Sequence, residues 1–504
     1  MTRTHGVRLA PRDALHVFTS EANPEDPPAV MLSFYVFDTE QDANPVRTNA
    51  EAVAWFLDRL ERTPALRRRL HRVPADLDYP YWVEADVDPE HHIRFTRVGH
   101  TSRSELHRRL ASMKEDPLDL TRPPWEVHVL TDISGVDDLP AASTIVALRI
   151  HHSLTDGLGA AEIARALFDD PGAKPVGAEA LSSVPGVVRA ASALPFKFAR
   201  MVPAVLAALR ARKALTTLTA AGTITPPAPC RPRTRFDTGG SGPRQFGRVR
   251  MDLRDVRAVA RSTGTSVNDV ILSVVSGGLH SYLEHHGEIP PASLAAIVPR
   301  STRGKSGVEA GKTRAANEVT LMYVDLHTDH DDPLERLRLV RESSNLEKQR
   351  VAHPETAATT APIDASPAVD LKVSIRRARN RKPESSGDVV ALANTAVTNV
   401  PRGRVEGLRF GDSPVVEALG TPMLSRTSAL VHSVTSLGNT LNLTFLVSVS
   451  SMPDPEDYER RLASAFEDLY RAGAPAGDQV DSRGCSPSGT MWHRPPRASG
   501  YLEE

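Results

Sequence analysis

The stretch RIHHSLTDGLGAAEIARAL (residues 149–167) sets two histidines, an aspartate and a glycine close together. A neutral imidazole, with an unperturbed pKa of ~6.5, is a natural base for an alcohol proton. Neighbouring residues of an extended segment point to opposite faces, so only one of His151 and His152 can enter a given cavity. Asp156, one short turn further on, can fold back to fix the loop. Gly157 permits a tight turn and close backbone approach where a helix begins. The pairs His91-His92 and His285-His286 lack an aspartate four positions and a glycine five positions beyond the second histidine, so an abundance of histidine does not explain the group. No Gly-x-Ser-x-Gly element accompanies it, which favours direct transfer to a bound hydroxyl over a covalent acyl-enzyme. The competing chemistry is a metal site on His151, His152 and Asp156. Divergent neighbouring side chains, and the lack of any further His/Asp cluster evident in the sequence, weigh against it, so the expected metal set is none.

The elements around this group read as mixed helix and strand. VMLSFYVFD (30–38) suits a strand, and WEVHVLTD and STIVALRI read as two more, the last feeding straight into His151. A helical pattern resumes after Asp156 through Ile163, Leu167 and Phe168, which puts the group on a strand-to-helix connection. NAEAVAWFLDRLER predicts a helix capped by Asn49, and SRSELHRRLASM one with Ser102 and Glu105 at capping-box spacing. Further on, FGRVRMDL predicts a strand, followed by the helix LRDVRAVARSTG, closed by Gly264. TSVNDVILSVVSGGLHSYLEHHG predicts a longer helix capped by Ser266. LAAIVP, NEVTLMYVDL, NTAVTNV, TSALVHSV and TLNLTFLVSVS are strand candidates before a last helix from Pro455. RFGDSP (409–414) reads as a loop.

The chain has 504 residues, 40% hydrophobic and 24% charged, with a formal net charge of −1. That length favours two lobes, and the charge balance provides no basic field for nucleic acid. Cys230 and Cys485 are too few for a disulfide framework, which favours a reducing cytosol. The opening MTRTHGVRLAPRDALHVF lacks a signal peptide's apolar core, and no stretch is read as the ~18–20 apolar residues of a membrane span. From Ala180 to Phe236 no acidic residue occurs, while Arg189, Lys197, Arg200, Arg210, Arg212 and Lys213 alternate with apolar segments. Pro185, Pro195 and Pro203 are expected to break this connection into basic amphipathic helices suited to an anionic lipid surface, or to a merely solvated crossover. The organisation is therefore a first lobe over 1–175, the basic connection over 176–243, a second lobe over 244–473 and a disordered tail over 474–504. Residues 352–388, rich in Ala, Thr, Pro and charge, read as a mobile loop.

HHSLTDG matches the HHxxxDG motif of chloramphenicol acetyltransferase-like acyltransferases. More narrowly, the chain resembles the bacterial wax ester synthase/acyl-CoA:diacylglycerol acyltransferase family from about Ala10 to Leu469. PLDLTRPPWEVHVL (117–130), TGTSVNDVILSVVSGGLHSYL (263–283), NEVTLMYVDL and NTAVTNVPRG look like further family segments, in family order. The resemblance implies an α/β (α+β) fold of two lobes, each a mixed sheet with flanking helices, with an active-site channel between them. It implies His152 as general base, His151 as its supporting neighbour and Asp156 as an architectural residue. Gly157, Asn268 and Asp269 fall to substrate binding or structure, with Asn268 placed to position substrate or an oxyanion. The implied substrates are acyl-CoA and a lipid alcohol such as diacylglycerol or a fatty alcohol, with no cofactor. The implied setting is cytoplasmic, peripheral to the inner membrane face or a lipid droplet. Three departures stand out. Pro124 replaces the usual leucine of a Pro-Leu-Trp element, and NVPRG stands for Asn-Val-Pro-Gly-Pro. Residues 352–388 also lack the apolar helical character common there, which bears on acyl-chain preference.

Two other classes share these features. One is a condensation-type or polyketide-associated acyltransferase acting on carrier-bound thioesters, for which this chain shows no attached carrier domain. The other is a non-catalytic lipid-binding paralogue, against which the intact motif argues.

Overall fold

A computed structural model describes residues 4–24, 26–40, 44–168, 173–177, 179, 181–237, 243–301, 319–379, 389–421 and 429–473. The expected tail over 474–504 lies outside these residues, as does 380–388 of the expected mobile loop.

The strand Val30–Asp38, a run of β-branched and aromatic residues, is buried on both faces along nearly its whole length. It lies inside a six-stranded sheet whose order is Arg409–Phe410, Ser413–Thr421, Val30–Asp38, Ser143–His151, Trp125–Ile133, Ile93–Arg97. Alternation divides its side chains. Met31, Tyr35 and Phe37 meet Phe56 of the helix Asn49–Arg59 and Ile163 of the helix Gly157–Leu167. On the other face Leu32, Phe34 and Val36 meet Phe246, Val431 and Leu446 of a second sheet. That sheet runs Arg244–Asp252, Thr440–Ser448, Leu430–Leu437, Thr395–Gly403, Ala295–Ser301, Val319–Asp325. Both sheets are mixed, as expected: Ile93–Arg97 is parallel to Trp125–Ile133, and Thr395–Gly403 is parallel to both its neighbours.

The lobes are joined by more than packing. Ser413–Thr421, drawn from the second half of the sequence, pairs antiparallel with Val30–Asp38. Glu417 on this strand and Asp138 of the first lobe both accept hydrogen bonds from the buried guanidinium of Arg248. Burial alone would disfavour that charge, and the two carboxylates more than offset it.

Several elements differ from the sequence reading. RFGDSP is a hairpin, not a loop: Arg409–Phe410 pairs with Ser413–Thr421 about Gly411, whose φ of +62° suits glycine. Thr48, not Asn49, caps the helix Asn49–Arg59, in a reciprocal capping box with Glu51. The helices expected in the basic connection are one helix, Val187–Ala220, which begins after Pro185 and carries Pro195 and Pro203 inside it. Both prolines are exposed, so the carbonyls they leave without an amide partner can face water instead of a dry interior. By length and composition this helix could also cross a membrane, contrary to the sequence expectation.

Residues 354–379 form the helices Pro354–Ala358, Ala361–Ala365 and Ala368–Arg379 instead of a mobile loop. Their small residues suit close packing. The first two lie against the long helix Val187–Ala220, while Ala368 and Leu371 pack with Phe18 of the helix Pro11–Ala22. Arg12 holds Asp364 at 2.8 Å, Lys372 holds Asp76 at 2.8 Å, and the Tyr79 hydroxyl donates to the Ser366 carbonyl at 2.8 Å. Through Arg12, Phe18 and Glu21, which lies 3.0 Å from Lys372, the first helix is held by second-lobe sequence.

Candidate active site

Ser143–His151 is buried throughout and ends where the HHxxxDG group begins. The His151 amide donates to Pro124 O at 3.0 Å, and the His152 amide to Ala29 O at 2.8 Å. These acceptors precede the strands on either side, so the last rungs of both ladders hold the pair. The Leu154 amide then returns to His151 O at 2.9 Å and turns the chain. Asp156 is the N-cap of Gly157–Leu167, its Oδ1 accepting from the Gly159 amide at 2.8 Å. A Cβ at Gly157 would stand 2.8 Å from a Val400 methyl carbon, so glycine lets the helix start meet the second-lobe strand Thr395–Gly403.

The two imidazoles have different surroundings. His151 is 4% exposed, and its Nδ1 accepts from the Ser153 amide at 3.2 Å and lies 2.7 Å from the Ser153 hydroxyl. An Nδ1 that accepts an amide proton leaves the hydrogen of the neutral ring on Nε2. Burial, then the nearby His152, lowers the His151 pKa to about 3, so it is neutral at physiological pH. His152 is half-buried, and its ring stacks on that of His16 with centroids 4.3 Å apart and planes 19° from parallel. Burial and the two neighbouring imidazoles hold the His16 pKa well below its usual value.

His151, His152, Asp156 and Gly157 are thus brought together on one loop. Asn268 and Asp269 sit at the start of the second-lobe helix Val267–His285. Asp269 is buried and committed to a capping box: its Oδ2 accepts from the Ser266 amide at 3.0 Å and hydroxyl at 2.7 Å. Its other oxygen lies 3.7 Å from Lys348 Nζ. Asn268, half-buried beside it, is the member of the pair whose side chain that cap does not use.

One residue at the site escaped sequence reasoning, and the role of another is visible only in the fold. His16 lies on the helix Pro11–Ala22, and nothing in its neighbourhood in sequence marks it as a partner of the motif. Arg402, the departure within NVPRG, is buried and donates to Ser33 Oγ at 2.7 Å and Gly157 O at 3.4 Å. Its own carbonyl accepts from Arg165 at 2.6 Å. The unusual arginine therefore ties second-lobe strand to first-lobe loop.

The family description "wax ester synthase/diacylglycerol acyltransferase catalytic domain" matches residues 9–271, and "WS/DGAT C-terminal domain" matches 315–470. A putative diacylglycerol O-acyltransferase of Mycobacterium tuberculosis is 29% identical over 311 residues, an alignment covering 58% of each chain. A second protein of that description and species is 28% identical over 485 residues, covering 92% of this chain and 96% of its own. The wax ester synthase/diacylglycerol acyltransferase structure from Marinobacter aquaeolei VT8 superposes with a TM-score of 0.60 at 22% identity, covering 93% and 100%. The first condensation domain of the CDA synthetase gives 0.54 at 16%, covering 95% and 98%. These structures share the fold of this chain.

The buried His151 makes stability depend on pH. Its folded pKa lies below the unfolded value of about 6.5, so the unfolded chain takes up the proton first as pH falls. Its contribution is unchanged above about pH 6.5 and is progressively lost toward about pH 3, at up to about 1.4 kcal/mol per pH unit. Urea unfolding of wild type and His151→Phe between about pH 7 and 4 should show the steeper loss in wild type. Parallel curves would mean that His151 is not held neutral.

Proposed function

We propose, on the premise that the chain belongs to the wax ester synthase/diacylglycerol acyltransferase family, that it is an acyl-CoA-dependent O-acyltransferase. Its acceptor is diacylglycerol, a long-chain fatty alcohol, or both, and His152 is the general base. The observation that carries this reading is the half-buried imidazole of His152, held by its main chain at the strand end while His151 is turned into the protein.

In the reaction, a neutral His152 nitrogen takes the hydroxyl proton as the alcohol oxygen attacks the thioester carbonyl carbon. A C–O bond forms and the carbonyl π electrons move to oxygen. When the tetrahedral intermediate collapses, the C–S bond breaks and the thiolate of CoA receives the proton from His152. Acyl group and proton are both accounted for with imidazole as the only proton carrier, so no cofactor enters the scheme. Aligning the two substrates supplies much of the acceleration. Asp156 and Gly157 hold the loop, and Asn268 is the second-lobe group available to orient substrate. His16 acts as a positioning residue: its neutral ring covers one face of His152 and limits that imidazole's access to water.

The lipid acceptor is met at a surface formed by the helix Val187–Ala220. Val188 is 84% exposed and Phe196 73% exposed, and Val202, Leu206 and Leu209 are also exposed. Ala190, Ala208 and Ala211 are buried, and Lys197 is held 2.8 Å from Asp78. A helix tied down along one side suits lying in an interface better than spanning it. Exposed Arg210, Arg212 and Lys213 would face anionic headgroups. On this reading the protein works in the cytoplasm, peripheral to the inner membrane face or a lipid droplet.

His152→Ala should lower ester formation by roughly 10²–10⁴-fold, measured as CoA released from palmitoyl-CoA with a panel of acceptors. Normal turnover by the folded variant would remove His152 as the base. Transfer from acyl-carrier protein but not from acyl-CoA would favour the condensation-type reading instead.

His16→Ala should lower kcat and leave KM for the acceptor near wild type, because the ring that fixes one face of His152 is lost. His16→Phe, which keeps a flat ring there, should restore the rate. A kcat indifferent to His16→Ala would reduce His16 to packing.

Replacing Arg210, Arg212 and Lys213 with glutamine should weaken binding to phosphatidylglycerol vesicles by about 1 kcal/mol per charge and spare turnover of soluble short-chain substrates. Vesicle sedimentation unchanged by the triple replacement would leave this helix a solvated crossover.

A further inference from the structure

The second-lobe turn DLHTDHDD (325–332), between the strand Val319–Asp325 and the helix Pro333–Ala352, is dense in metal-ligating side chains. The sequence reading found no His/Asp cluster beyond the HHxxxDG motif. Among the described residues, however, one ligand atom each from His327, Asp329 and His330 lie within 4.8 Å of one another. We infer that these three side chains form a binding site for a divalent transition-metal ion, separate from the histidine loop.

The mounting of the turn supports the assignment. Thr328, between the ligands, is buried: its amide donates to Ser293 Oγ at 3.0 Å and its Oγ1 accepts from the Leu294 amide at 3.0 Å. Its carbonyl lies 2.7 Å from His280 Nδ1, on the helix Val267–His285. The His327 amide is held by Asp325 Oδ1 at 3.0 Å, and the His330 amide returns to His327 O at 3.2 Å. The ligands therefore project from a fixed backbone, which lowers the entropy lost on coordination. His327 Nε2 lies 2.8 Å from the Ser343 hydroxyl and its Nδ1 3.9 Å from Asp325 Oδ1, outer contacts that orient the ring.

Two imidazoles and one carboxylate select a borderline ion such as Zn²⁺ or Co²⁺ over Mg²⁺ or Ca²⁺, which want oxygen donors. Bonds of about 2.0–2.2 Å in a tetrahedral shell require the donor atoms to draw closer together, a movement open to the exposed Asp329. Solvent takes the fourth position. Binding would staple strand to helix on the outer part of the second lobe and plays no part in the proposed acyl transfer.

The test uses full-length, untagged protein stripped with EDTA. It is titrated with ZnCl₂ in a calorimeter and, separately, with CoCl₂ while the visible absorption of tetrahedral Co²⁺ is followed. Wild type should bind one ion per chain and show a raised thermal midpoint with Zn²⁺. The double variant His327→Ala/His330→Ala should lose at least about tenfold in affinity along with the visible band. Asp329→Asn, at an exposed position, tests the same site without disturbing the core, and should weaken binding. Absence of binding by wild type, or binding unchanged in Asp329→Asn and the double variant alike, would overturn the assignment.

Discussion

Two consecutive peptide groups are pinned where the strand Ser143–His151 ends. Successive amides of a strand point to opposite sides, and those of His151 and His152 find acceptors at Pro124 and Ala29, one on each neighbouring chain segment. A buried amide left without its acceptor would cost about 1–3 kcal/mol, so the strand end has one low-energy position. The departure at Pro124 is harmless for the same reason. The ladder needs its carbonyl there, and proline retains one. Fixing the main chain at 152 lets the next turn, capped by Asp156, reverse into a helix without moving the imidazole.

That fixed loop would be of little use if the lobes could slide. Their halves are interleaved: the strand Ser413–Thr421 belongs to the first-lobe sheet by hydrogen bonding and to the second half of the chain by sequence. One face of Val30–Asp38 packs on second-lobe Phe246 and Leu446, so the two sheets share a core. Arg248 with Glu417 and Asp138, and Arg402 with Ser33 and Gly157, add directional ties across the same boundary. Buried charges such as these stabilise little in total, because desolvation offsets much of the attraction. They do penalise any arrangement that separates them. The register between the histidine loop and the second-lobe strand at Val400 is set in this way.

Much of this was legible in the sequence, and the failures share a cause. Val30–Asp38, Ser143–His151 and Thr440–Ser448 could be read because their own composition favours a buried strand. The Ser266–Asp269 cap could be read because both partners lie within one turn. The hairpin at Arg409 is not evident in sequence because its second strand, Ser413–Thr421, is seated on the distant Val30–Asp38, and RFGDSP alone looks like a turn. The helices between 354 and 379 were missed because small residues announce no core, yet they fit closely against Phe18 and the long helix. Proline at 195 and 203 argued correctly against an isolated helix. Exposure of both residues on the outer side removes the objection. The HHxxxDG loop was legible because its parts are contiguous, whereas His16 and Arg402 join it only through the fold.

The contact with His16 changes what the loop can do. Three imidazoles, at positions 16, 151 and 152, lie close enough for a proton on one to disfavour a proton on another. His16 and His151 are held neutral first of all by burial, so neither competes as a proton store at physiological pH. The rings at 16 and 152 are both half-buried, whereas that at 151 is enclosed. On the proposed acyl transfer, the stacked neutral ring of His16 fixes the plane of the His152 imidazole and adds no charge of its own beside it.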